Sequence, residues 1–317
     1  MASGGPRVSI SQISTFSAPF ADDVAAYAAA GLDGIGVWEL KLGDGPDDDA
    51  LEALHDSGLA GASAVPLVPS LLPLPLLGGP EDPAARLEAL LASLHRLAPF
   101  RPSGIVCLTG TGAGRDPDDA YAIVVDGLRQ LADEASSLGL RIALEPYQRD
   151  GGEEWTIVST IPDALALIRD AGDSPALGLQ FDVWHLWNTD TVLDDIHEHV
   201  DRFAGVHVDD VRAPTRGWAD RVAPGDGIAD VPRILRALDD AGYDGLYDME
   251  IFSDDGTFGA HYADSLWRVE PRTATRTFRD AFHAVWQARI EVDESPLTPQ
   301  GPLSPVRPHL RRQTVKE

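Results

Sequence analysis

The sequence reads as a single (β/α)8 barrel over residues 1–292, an α/β fold, followed by a proline-rich arm over 293–317. Three observations carry that reading. The 317 residues exceed one average domain, yet α/β barrels run past about 250 residues as one unit. Eight short apolar runs alternate with amphipathic ones, and parallel strands need helical crossovers between them. Four consecutive strands in the second half end on a residue able to bind a metal, and a closed barrel would gather such ends on one face. A doubly wound open sheet is the competing arrangement, and the placement of the polar residues favours closure.

The elements follow in order. Residues 8–13 read as a strand and 19–30 as a helix. Residues 34–38 form the second strand, with a helix over 48–57, and 61–67 form the third. Asp82 then stands as an N-cap before Pro83, which opens a helix to residue 97. Residues 105–109 are strand four, followed by a long helix over 117–138. Residues 141–145 are strand five. Thr160 caps the next helix, to residue 170, with Asp163 in capping-box position. Residues 176–182 are strand six, with a helix over 192–199. Residues 203–208 are strand seven, with a helix over 231–241. Residues 246–251 are strand eight, and 274–290 the last long helix. Two segments stand outside the alternation. Residues 65–80 form an apolar, proline-rich loop after strand three. Residues 293–317 carry Pro296, Pro299, Pro302, Pro305 and Pro308 and have no amphipathic period.

Composition narrows the functional classes. Apolar residues are 44% and charged ones 24%, which excludes wholesale disorder. Acids outnumber bases 51 to 25, for a net charge of −26. That sign makes nucleic acid and anionic membranes poor partners. Cys107 is the one cysteine, so neither an intramolecular disulfide nor an all-thiolate zinc site is available. The first twelve residues carry no signal-like apolar core. No run reaches the roughly 18 to 20 apolar residues that cross a bilayer. The expectation is a soluble, cytoplasmic protein.

The chemistry lies at the strand ends. Strand five ends at Glu145, strand six at Asp182, strand seven at His207 and strand eight at Glu250. Their separations of 37, 25 and 43 residues are each about one βα unit. One acid at a strand end is commonly a cap or an ion-pair partner, but three acids and a histidine on consecutive strands call for a shared purpose. Three carboxylates in one mouth repel unless a cation neutralises them. Oxygen donors with one imidazole suit one divalent ion, Mn²⁺ first, with Mg²⁺, Co²⁺ or Zn²⁺ as alternatives.

Other motifs carry less. Gly110-Thr-Gly-Ala-Gly114 follows a strand, but Arg115 takes the last glycine place of a dinucleotide loop, so it reads as a turn. His197 and His199 point to different faces of a helix. Cys107 sits within strand four as packing. Trp184 and Trp187 flank His185, either as rim packing or as an aromatic wall against a sugar ring.

Glu145, Asp182-x-x-His185, His207 and Glu250 resemble the sugar isomerase/epimerase superfamily with a xylose-isomerase-like barrel. Supporting segments are Phe181-Asp-Val-Trp-His185, Val206-His-Val-Asp-Asp210, Pro224-Gly-Asp-Gly227 and Ala241-Gly-Tyr-Asp-Gly245. The resemblance spans roughly residues 7–290. It implies that Glu145, Asp182, His207 and Glu250 ligate the metal, and that Glu145 and Glu250 also exchange protons with substrate carbons on opposite faces. It implies that His185 bonds substrate oxygens and places Arg212 near a substrate-contacting arginine. Trp38 and Trp184 are expected to line the substrate mouth.

Proton removal next to a carbonyl leaves an enediolate, whose charge a divalent ion stabilises as a Lewis acid. The leading expectation is therefore a metal-dependent isomerase or epimerase acting on a sugar or keto-sugar. The alternative is a carbon–carbon lyase. The apolar loop at 65–80 resembles a feature of the larger subunit of C-glycoside deglycosidases, which eliminate an aromatic aglycone from a 3-keto-C-glycoside beside a small β-sandwich subunit. In that case Tyr147 and Gln148 stand where a further acid/base residue is sought, and only Tyr147 can serve. The loop and the arm are expected to contact another polypeptide, in a homo-oligomer or with that small subunit. An abasic-site endonuclease shares the barrel but needs more histidines and a basic surface. A non-catalytic sugar-binding barrel would hold no ion.

Overall fold

The computed structural model describes residues 5–75, 77–112, 114–147 and 155–292. Eight parallel strands close into a barrel. They are β1 (Arg7–Ser11), β2 (Gly34–Trp38), β3 (Ala60–Val65), β4 (Gly104–Cys107), β5 (Ile142–Leu144), β6 (Leu177–Asp182), β7 (Phe203–Val208) and, after a short ribbon, β10 (Leu246–Met249). Around the barrel the order is β1-β10-β7-β6-β5-β4-β3-β2. The ribbon pairs β8 (Asp210–Val211) antiparallel with β9 (Arg221–Val222). The helices are α1 (Phe20–Ala29), α2 (Asp48–Ser57), α3 (Pro83–Leu97), α4 (Pro117–Leu138), α5 (Ile161–Asp170), α6 (Val183–Leu186), α7 (Val192–His199), α8 (Val231–Asp240) and α9 (Pro271–Ala288).

Local sequence explains where the helices start. Asp82 accepts from the Ala84 N–H, Asp116 from Asp118 and Thr160 from Asp163. Proline occupies the first turn in all three, where its missing N–H costs nothing. Strand alternation then sorts the apolar side chains into two clusters. The larger packs the outer barrel wall against the helices, with Ile35, Leu144, Phe181, Met249 and Phe282 fully buried. The smaller fills the inside of the mouth, with Trp38, Val65, Val106, Trp155 and Phe252.

Several expectations are revised. Strand one ends at Ser11 and gives way to a tight turn over Gln12–Thr15. Strand eight stops at Met249, so Glu250 lies just beyond it. The last helix begins at Pro271 under a Glu270 cap. The 65–80 loop does not present its apolar residues outward. Leu71, Leu72 and Leu74 are buried, and Leu67 is left exposed at 52%. The loop runs beside the extension of β4, with the Leu71 and Leu72 N–H groups donating to the Leu108 and Thr109 carbonyls. The buried Arg86 side chain ties it down by donating to the Ser70 and Pro80 carbonyls and to Ser70 Oγ. Gly110 is glycine because its φ is +74° and a Cβ would collide with the Leu72 carbonyl. The 293–317 arm lies outside the described residues. Among the described residues no helix is long and apolar enough to cross a membrane.

Candidate metal centre and barrel mouth

Four strand ends converge as their spacing requires. Asp182 closes β6 and His207 lies in β7, paired with it in register. Glu145 follows β5, its N–H donating to the Cys107 carbonyl. Glu250 follows β10, its N–H donating to the Val208 carbonyl. One donor atom from each of Glu145, Asp182, His207 and Glu250 lies within 4.8 Å of the others, and all four residues are buried. His207 Nδ1 is the hub, 3.2 Å from Glu250 Oε2, 3.7 Å from Asp182 Oδ2 and 3.8 Å from Glu145 Oε1.

This donor set fits one divalent ion. Oxygen and nitrogen ligands at about 2.0–2.6 Å from a shared centre can lie up to about 5 Å apart. His207 Nδ1 and Glu145 Oε1 are buried with no hydrogen-bond partner, which is costly for polar atoms unless a cation engages them. Burial, with Asp182 and Glu250 near, pushes the Glu145 carboxyl up to about 8 against the pull of His207. Burial disfavours a charged His207, yet Glu250, Asp182 and Glu145 outweigh it and hold the imidazole well above its usual range. Burial is also outweighed at Asp182, which Arg221 first and His207 with it hold well below the usual carboxylate range. The site thus demands positive charge.

Asp182 has a second task. Its Oδ1 accepts from the Trp184 N–H at 2.7 Å and starts α6. That single helical turn delivers His185 to the mouth, which is why the two lie three positions apart in sequence. The His185 ring stacks on Tyr147 with centroids 3.7 Å apart. Burial, with Arg221 and His207 adding to it against Asp182, holds this imidazole down at about 3. It is therefore neutral at neutral pH, with Nδ1 free of any partner.

Among the described residues the arginine of the site is Arg221, not Arg212. Its Nη1 lies 2.9 Å from Asp182 Oδ2, 2.5 Å from Asp209 Oδ2 and 3.3 Å from Glu250 Oε2. The guanidinium packs over the Trp184 and Phe252 rings. Arg212 sits at the other side of the ribbon turn, paired with Asp220 and Asp264 and outside the mouth lining. The signal for Arg221 was its position opposite Val211 in a two-residue strand pair, too short to register as a period.

Trp38 and Trp184 both line the mouth, and Trp187 does not. The Trp38 indole N–H donates to Ser11 Oγ. Leu74, Trp155, Trp218 and Phe252 complete mostly apolar walls around a cleft of about 540 Å³ that includes space open to solvent. Tyr147 lines it as well, and Gln148 lies outside the described residues. His197 and His199 lie on α7, away from the mouth lining.

Parts of the chain are similar in sequence to known proteins. Inosose dehydratase of Geobacillus thermodenitrificans is 26% identical over 152 residues, 43% of this chain and 49% of that protein. Inosose isomerase of Bacillus licheniformis is 30% identical over 139 residues, 43% of this chain and 48% of that protein. A probable endonuclease 4 of Acholeplasma laidlawii is 29% identical over 119 residues, 38% of this chain and 39% of that protein. The chain spans about half or less of the length of these curated relatives.

Among solved structures, protein SMc04130 from Sinorhizobium meliloti 1021 superposes with a TM-score of 0.76 at 22% identity, covering 88% of this chain and 98% of that one. An L-ribulose 3-epimerase gives 0.72 at 19%, covering 90% and 96%. The IOLI protein with a bound zinc atom gives 0.71 at 18%, covering 88% and 97%. These likenesses establish the barrel. The profile of the xylose isomerase-like TIM barrel matches residues 24–276, most of the sequence. The chain belongs to the xylose isomerase-like TIM barrel family.

Proposed function

We propose that the chain is a divalent-ion-dependent enzyme of the isomerase or epimerase type, moving a proton on the carbon beside a carbonyl of a sugar or keto-sugar. The convergence of Glu145, Asp182, His207 and Glu250 carries this reading. The ion, which we assign as manganese, supplies Lewis-acid stabilisation of charge developing on substrate oxygens. The chain's own residues do the rest. Glu145 and Glu250 directly follow β5 and β10, with β6 and β7 between those strands in the barrel. They therefore flank the centre from two sides, and each carboxylate can hold a proton for one face of the substrate carbon. Neutral His185 can donate to or accept from a substrate oxygen. Arg221 offers its guanidinium at the same wall, and the tryptophans limit water. The sugar epimerase and inosose enzymes among the relatives support the substrate class.

Solvent exchange tests this directly. The ion-loaded chain is incubated in D₂O with a panel of ketoses and inososes, and proton NMR follows the carbon next to the carbonyl. Deuterium should enter at that carbon, and Glu250→Gln should nearly abolish its entry. No exchange with any member of the panel would refute the reading.

One observation favours a second reading. Trp38, Leu74, Trp155, Trp218 and Phe252 offer few hydrogen-bond partners to a polyol but a large face to an aryl group. A lyase that expels an aromatic aglycone from a 3-keto-C-glycoside uses the same proton abstraction and fills that wall. In this reading Tyr147 is the added acid/base group, and a small β-sandwich subunit docks beside the mouth. Release of a free phenolic aglycone, followed by chromatography, separates the two readings.

A further inference from the structure

Behind the four donors, deeper in the barrel, lie Ser63 of β3 and Asp248 of β10. Both are buried to within 2%, as is His207. Asp248 and Glu250 are two residues apart, so the strand period turns both inward. Most barrel interiors are filled by branched apolar side chains. A carboxylate here is costly unless something polar or positive answers it. Gly36 of β2 makes the room, since a Cβ there would collide with Asp248 Oδ2.

The hydrogen bonds run in one direction. Ser63 Oγ donates to Asp248 Oδ2 at 2.6 Å. A carboxylate only accepts, and a serine hydroxyl has one proton to give. Ser63 Oγ therefore accepts at its other contact, which is His207 Nε2 at 2.9 Å. The imidazole proton is thereby placed on Nε2. Once the imidazole is neutral, as ion binding requires, the lone pair falls on Nδ1, the atom turned toward Glu250, Asp182 and Glu145.

We infer that Ser63 and Asp248 are positioning residues for the ion: they hold His207 in the tautomer and orientation that offer Nδ1 as a donor. The inference rests on the reading of the four donors as an ion site. Outer partners of this kind change metal affinity about 10- to 100-fold in metalloproteins generally. Asp248→Asn removes the charge that fixes the direction of the chain of bonds. Ser63→Ala removes the acceptor for Nε2–H.

Cobalt(II) titration of the metal-stripped full chain tests it, read by the visible d–d absorption. The unsubstituted chain should bind one equivalent. Ser63→Ala and Asp248→Asn should each bind about 10- to 100-fold more weakly. Their spectra should shift toward that of His207→Ala, which defines the centre without its imidazole. Circular dichroism melting of the ion-free proteins shows that each variant is folded. A purely structural role would lower that melting temperature and leave affinity and spectrum alone. Wild-type affinity and spectrum in both variants would overturn the positioning role. Failure of the unsubstituted chain to bind cobalt would instead overturn the ion site on which it rests.

Discussion

Replacing Arg221 by alanine should expose how much of the mouth is held by one guanidinium. Arg221 is 3% exposed and bonds the carboxylates of Asp182, Asp209 and Glu250. Without it Asp209 has no charged partner among the described residues, and the carboxylate cluster is left with His207. Removing one partner of a buried ion pair costs about 3–5 kcal/mol. Unfolding entropy near 2.1 cal/mol/K per residue gives about 0.7 kcal/mol per degree for 317 residues. The melting temperature should therefore fall by about 4–7 °C. Arg212→Ala is the control. Arg212 is about a third exposed, and Asp220 keeps its bonds from Arg216 when Arg212 is gone. Asp220 is buried but stays paired with Arg216, so losing the part-exposed Arg212 should cost about 1 kcal/mol or less, and that variant should fall by no more than about 1–2 °C. Calorimetry on both, in low salt and without added metal, reads the comparison. Equal shifts in the two variants, or none in Arg221→Ala, would refute the assignment of Arg221 as the buried counter-charge.

Cys107 lies in the barrel wall at 1% exposure, and burial pushes its thiol up to about 12. The thiol should therefore stay protonated and unreactive toward Ellman's reagent from pH 7 to 9, and the same chain in guanidinium should titrate one equivalent. Rapid reaction of the native protein at pH 8 would contradict this. His185→Ala should raise KM well over tenfold while stoichiometric metal is retained, because His185 faces the mouth and is not among the four donors; elemental analysis showing lost metal would reverse that role. Gly110→Ala forces a side chain into both a left-handed conformation and the Leu72 carbonyl. It should cost at least about 1–3 kcal/mol in denaturant unfolding, and a neutral result would show that the 65–80 loop is not pinned there.

The donors were legible because strand periodicity and crossover length are both properties of neighbouring residues. Glu145, Asp182, His207 and Glu250 each sit where an apolar run stops, about one βα unit apart. His185 was legible only through the resemblance carried by Asp182-x-x-His185, and the structure supplies the physical reason, one helical turn that joins the two. Arg221 was not, because its role depends on a two-residue ribbon folding back over β7. Arg212 drew attention by nearness in sequence to His207, which the ribbon turns into distance from the mouth. The 65–80 loop misled for a related reason. Leu71, Leu72 and Leu74 look unpartnered along the chain, and their partners are β4 and α4 residues far along it, with Gly127 and Gly110 giving way to them. The aromatic wall of Trp38, Trp155, Trp218 and Phe252 comes from four separate segments. Ser63 and Asp248 looked like ordinary strand residues until their bonds to each other and to His207 were seen.

The central claim is that four strand-end side chains share one divalent ion. Crystals grown with manganese, with diffraction recorded on either side of its absorption edge, test it most directly. The account predicts one anomalous peak, about 2.0–2.6 Å from Glu145, Asp182, Glu250 and Nδ1 of His207. Data that show full-length protein with manganese bound elsewhere, or with no peak inside the barrel mouth, would contradict it.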